Sequence, residues 1–85
     1  MEMMPATRDE IAAWFDRGVA LGATHMIVVC DTFSYEDYPV FVKPEEDVRA
    51  RETEFAEQSM QKIMEVYDLK RDRDAQLAEH RAFNY

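Results

Sequence analysis

The run Thr24-His25-Met26-Ile27-Val28-Val29-Cys30-Asp31-Thr32-Phe33 constrains this chain more than any other segment. Its β-branched residues and its lack of helical spacing mark a strand from about Thr24 to Thr32. One face carries His25, Ile27, Val29, Asp31 and Phe33; the other carries Thr24, Met26, Val28, Cys30 and Thr32. Both faces are apolar at the centre, so the strand requires cover on both sides. Ser34-Tyr35-Glu36-Asp37 forms a polar, acidic turn, and a second strand runs from about Tyr38 to Val42. Pro39 cannot donate to a ladder, which puts the start of that strand at a sheet edge or bulge. A lone hairpin is at best marginally stable, so the segments flanking it must supply a core.

Those flanks read as helices. Thr7-Arg8-Asp9-Glu10 has the capping-box form. Ile11, Trp14, Phe15 and Val19 then follow at helical spacing, and Gly22 suits the left-handed turn that ends a helix. The first helix is expected over about Arg8 to Leu21. Burying Trp14 and Phe15 would contribute roughly 1.5–3 kcal/mol each. Pro44 suits the first turn of a second helix, with Glu45, Glu46 and Asp47 beside the positive end of its dipole. Val48, Phe55, Ser59, Met60, Ile63, Met64 and Tyr67 read as its apolar stripe, extending it to about Leu69. The charged run Lys70-Arg71-Asp72-Arg73-Asp74 leads to Ala75, Leu77, Ala78 and Phe83, as a short third helix or a continuation of the second. The expected fold is a single α+β domain over residues 1–85 in α-β-β-α order. An antiparallel β-hairpin packs on two helices, residues 70–85 form a charged C-terminal helix or tail, and residues 1–6 form a flexible N-terminus.

Eighty-five residues bury only roughly 60–65% of the surface that the unfolded chain exposes. Cys30 is the sole cysteine, which excludes an intrachain disulfide and a cysteine-rich zinc site. A homo-oligomer, most simply a dimer, is the expected source of further burial for the first strand. No run approaches the ~20 apolar residues of a membrane span, and Met1-Glu2-Met3-Met4-Pro5 lacks signal-peptide character. A cytoplasmic location follows as an expectation. The net charge is −8, and residues 31–57 hold nine acids against three bases. That balance argues against general nucleic-acid binding, while leaving room for a local basic pocket.

The combined phrases Val29-Cys30-Asp31-Thr32-Phe33 with Glu36-Asp37-Tyr38-Pro39-Val40, Met60-Gln61-Lys62-Ile63-Met64-Glu65-Val66-Tyr67, and Glu79-His80-Arg81-Ala82-Phe83 resemble a family of small proteins from bacteriophages and bacteria. No reaction is attached to that family. The resemblance implies an accessory setting in which small acidic proteins inhibit host factors or sequester signals, with the host cytoplasm as the location.

The chemistry-bearing residues give no catalytic constellation. Cys30 with His25 or His80 would be a nucleophile and base, but Cys30 sits in an apolar strand and His25 alternates to the other face. Asp31, Glu36 and Asp37 form an acidic recognition edge; they could offer oxygen ligands, yet without the spacing or glycine of an EF-hand loop. The Met60 and Met64 pair with Phe55, Ile63 and Tyr67 fits a core or interface better than a peptide groove. The candidate ligand-binding set is His25, Tyr35, Tyr38, Lys43, Arg49, Arg51, His80 and Arg81: arginines for an anion, tyrosines to stack on a base. Surface arginines more often make helical ion pairs such as Glu45–Arg49. The expected function is noncatalytic binding, with no cofactor or metal, that sequesters a small anionic, nucleotide-like signal to counter host defence. The alternative is an acidic interaction module that inhibits a host protein.

Overall fold

The computed structural model describes residues 6–85. Helix α1 spans Arg8–Ala20. Thr7 Oγ1 accepts from the Glu10 backbone N–H at 3.1 Å, and Glu10 Oε1 accepts from Thr7 N–H at 3.1 Å, completing the capping box. Gly22 follows at φ 78°, a backbone state open to a residue without Cβ, and the chain reverses there into the sheet. Strand β1 covers His25–Asp31 and β2 covers Glu36–Val42. The expected flexible segment 1–6 lies outside the described residues except for Ala6, whose N–H donates to Asp37 Oδ2 at 3.0 Å.

The second helix is shorter than its apolar stripe suggests. Helix α2 ends after Val48–Ala56, and Gln61–Asp68 forms a third strand, β3. Asp47, not Pro44, begins α2: its side chain accepts from Arg49 N–H at 3.1 Å. β3 pairs antiparallel with β1, giving a three-stranded sheet in the order β2-β1-β3. A bulge explains the misleading spacing. Val28 faces Glu65 while Val29 faces Ile63, leaving Met64 as the extra residue. Ile63 and Val66 therefore meet one side of the sheet, and Met64 and Tyr67 the other. Both pairs are three residues apart, which imitates a helical stripe.

The α+β class holds, with two layers of cover over a central strand. On one face Ile11 and Phe15 of α1 pack on Met26, Val28, Tyr67 and Leu69. On the other, Val48 and Phe55 of α2 pack against Ile27, Val29, Val40, Val42 and Val66. The two apolar faces of β1 are thus both covered within one chain, so this burial requires no second copy. Gly18 gives α1 its closest approach: a Cβ there would lie 2.8 Å from Leu69 Cδ1 and 2.9 Å from Phe41 Cδ1. Gly18 rather than Val19 faces the core in the last turn, and Val19 is exposed.

β2 is an edge strand, consistent with Pro39 within it. The opposite edge, on β3, is partly closed by the C-terminal segment. Val66 N–H donates to Ala82 O and Asn84 N–H to Val66 O, each at 2.9 Å. The short helix α3, Arg73–Leu77, packs against α1, where Arg73 pairs with Asp16 at 2.8 Å. Tyr85 then reaches α2, where its hydroxyl donates to Glu52 and its ring lies 3.9 Å from the Arg49 guanidinium carbon. Burial first, and the Glu52 carboxylate second, push its phenol up to about 12. Among the described residues, two that are not glycine have left-handed backbone, Tyr35 (φ 57°) and Met60 (φ 63°), at a cost of about 1–2 kcal/mol each. No described helix is long and apolar enough to cross a membrane.

Candidate ligand cleft

The bulge in β3 turns two side chains, Met64 and Glu65, toward the face covered by α1. Glu65 is only 6% exposed, and a buried carboxylate must be fully hydrogen-bonded to be tolerated. Its Oε1 accepts from Arg8 Nη1 at 3.0 Å and from the Tyr67 hydroxyl at 2.6 Å. Oε2 accepts from the buried Ala82 N–H at 3.1 Å. Arg8 Nη1 also donates to the Tyr67 hydroxyl oxygen at 3.0 Å, closing a triangle. Burial and then the bond to Glu65 hold the Tyr67 phenol well above its usual range, against the opposing charge of Arg8. Tyr67 therefore serves as a neutral donor.

Above this network lies a cleft of about 250 Å³. Ile11, Val28 and Met64 give it apolar walls, while Arg8, Asp37, Glu65, His80 and Arg81 supply its polar groups. The Arg8 side chain is 48% exposed although its Nη1 is anchored to Glu65. Arg81 donates to Met64 O at 3.2 Å and Ile63 O at 3.4 Å, across the free edge beside the bulge. These contacts fix the guanidinium at the cleft while leaving it exposed to solvent. The groups come from far-apart segments: Arg8 from α1, Asp37 from β2, His80 and Arg81 from the chain after α3.

The residues singled out in the sequence do not form one site. His80 and Arg81 meet at the cleft; Arg49 and Arg51 lie on α2, across the sheet. Arg49 stacks on Tyr85 instead of pairing with Glu45, and Arg51 pairs with Glu54 at 3.1 Å and Glu46 at 3.7 Å. His25 begins β1, five residues from Cys30; its Nδ1 lies 3.0 Å from Thr24 Oγ1, while its buried Nε2 has no hydrogen-bond partner among the described residues. Tyr38 packs on Phe55 and donates to Gln61, and Tyr35 is exposed in the β1–β2 turn. Lys43 is exposed just after β2. Neither expected stacking tyrosine reaches the cleft.

The acidic edge is also divided. Asp31 Oδ1 accepts from Phe33 N–H at 2.9 Å, and Glu36 is its cross-strand partner. Asp37 instead lies opposite Cys30 and faces the cleft. Burial, then the Asp37 and Asp31 carboxylates, raise the Cys30 thiol, which opposes a nucleophilic thiolate. Among the described residues no three His, Cys, Asp or Glu side chains are grouped to hold a metal.

Arg8 and Glu65 carry the site without having stood out in the sequence. Arg8 figures there only in the capping-box run at the start of the first helix, and Glu65 only within the span expected for the second. The available signal was one acid between Met64 and Val66-Tyr67, a strand-like apolar run. Comparison with protein-family models, curated proteins and solved structures found no match.

Proposed function

We propose that this chain is a noncatalytic binding protein for a small molecule bearing a carboxylate or phosphate, taken up in the α1-side cleft. The convergence of Arg8, His80 and Arg81 on one cleft carries this reading. Arg81 and Arg8 offer planar, charge-assisted donors to the anion. His80 and Asp37 would bond the polar remainder of the ligand, and Ile11, Val28 and Met64 its apolar part. A cleft of about 250 Å³ with no Tyr, Phe or Trp among its lining residues favours a small acid or sugar phosphate over a nucleobase. Sequestration of such a molecule fits the phage-type accessory setting that the sequence phrases imply, and one chain supplies every group it uses.

Isothermal titration with inorganic phosphate, citrate, ribose 5-phosphate and adenosine monophosphate at low salt tests the reading. Binding of one of the first three is expected, with an affinity loss of about tenfold or more in Arg81→Gln and His80→Ala. No heat from any of the four at millimolar concentration would refute the anion cleft. Conversion of a bound ligand, followed by NMR, would refute the noncatalytic assignment.

A further inference from the structure

We infer that the end of the sheet carrying Phe33, Tyr35 and Met60 is a docking tip for a partner protein whose surface presents an apolar socket framed by Lys and Arg. Phe33, Tyr35 and Met60 are 71%, 61% and 58% exposed. They belong to two loops, the β1–β2 turn and the α2–β3 turn, which Thr32 N–H ties together by donating to Met60 O at 2.8 Å. The turn is held rather than loose. Asp31 Oδ1 accepts from Phe33 N–H at 2.9 Å, and Asp31 O accepts from Tyr35 N–H at 2.6 Å. Aromatic side chains fixed on a preorganised turn lose little entropy when a partner covers them.

The backbone supplies an independent reason to look here. Tyr35 and Met60 are the two described non-glycine residues with positive φ, and both stand at this tip with large exposed side chains. Glycine would relieve both positions, and an exposed side chain gives the fold little in return. Strained residues that display apolar surface point to contact with something outside the chain.

The rim defines the partner's chemistry. Asp31 and Glu36 close the hairpin as cross-strand partners, Glu57 caps the end of α2, and Lys62 is the opposing charge on β3. That is three acids to one base, within a chain of net charge −8. Like charge disfavours a second copy of the same tip, and it repels anionic membrane headgroups. A basic surface is complementary on both counts. The site is separate from the cleft and stands whether or not an anion binds there.

Peptide-display selection against the wild-type chain, counter-selected on the Phe33→Ser/Tyr35→Gly double variant, tests this. Selected peptides should combine apolar and Lys/Arg residues and bind wild type at least tenfold more tightly than the double variant. Tyr35→Gly and Met60→Gly should each keep or raise the melting temperature while weakening that binding. No enriched peptide, peptides without basic residues, or equal binding to wild type and variant would overturn the proposal. So would a lowered melting temperature in both glycine variants, which would give the two side chains a structural role. Phe33-dependent binding to phosphatidylcholine vesicles would replace it with a membrane tip. Phe33-dependent self-association in sedimentation would replace it with a homodimer.

Discussion

Replacing Glu65 with alanine tests the network on which the cleft rests. The carboxylate is 6% exposed and accepts three hydrogen bonds, from Arg8, the Tyr67 hydroxyl and the Ala82 N–H. Without it the buried Ala82 N–H has no acceptor, a loss of about 1–3 kcal/mol. The Tyr67 hydroxyl keeps Arg8 as donor but loses its own acceptor, adding about 1 kcal/mol. Arg8 regains water because its side chain is 48% exposed, so the ion pair adds no more than about 1 kcal/mol. Glu65→Ala should therefore cost about 3 kcal/mol, below the upper range for a fully buried ion pair. At roughly 0.05–0.15 kcal/mol per residue, that is a large share of the stability of a domain this size. Thermal and urea unfolding should show it, with the melting temperature falling by about 12–24 °C. The Glu65→Ala and Tyr67→Phe variants complete a double-mutant cycle, in which Phe keeps the edge-to-face contact with Phe15 at 6.3 Å. Coupling of about 1 kcal/mol is expected. A Glu65→Ala loss below about 0.5 kcal/mol, or negligible coupling, would refute the network as an anchor.

Three further outcomes follow from other parts of the fold. The Tyr67, Tyr38 and Tyr85 phenols are all raised by burial first, so above about pH 10 the unfolded chain releases protons that the folded chain retains. Their contribution is complete below that pH and is lost as pH climbs through the folded values. Urea unfolding between about pH 8 and pH 11.5 should show falling stability, with a shallower fall in Tyr67→Phe. Gly18→Val should destabilise by about 1–3 kcal/mol, because its side chain meets Leu69 and Phe41 and overpacking outweighs any gain in helix propensity; an unchanged urea midpoint would contradict the close approach of α1. Gln76 is 2% exposed and bonds both backbone groups of Asp68, accepting from N–H at 2.9 Å and donating to O at 2.8 Å. Gln76→Leu should cost about 2–3 kcal/mol and speed exchange of the Asp68 amide, as read by hydrogen-exchange NMR.

The sequence by itself determined the local elements whose signals lie within a few residues. The Thr7–Glu10 capping box, the Gly22 stop, the two-faced apolar run from Met26 to Val29 and the edge proline of β2 each depend on local stereochemistry. They also implied that β1 needs cover on both faces, which α1 and α2 supply. The cleft was legible only in part: His80 and Arg81 were marked, but the tyrosines and the α2 arginines marked with them lie elsewhere. Tertiary structure alone decided residues 61–68. The bulge at Met64 sends Ile63 with Val66 to one face and Met64 with Tyr67 to the other, so a strand carries helical spacing. The free edge of β1 resolves the ambiguity, because a buried central strand leaves its backbone groups unsatisfied until a distant segment pairs with them. That pairing also buries Glu65 beside Arg8, fifty-seven positions away in sequence. No local pattern encodes such a contact; it exists only once α1 and β3 are brought to the same face of the sheet.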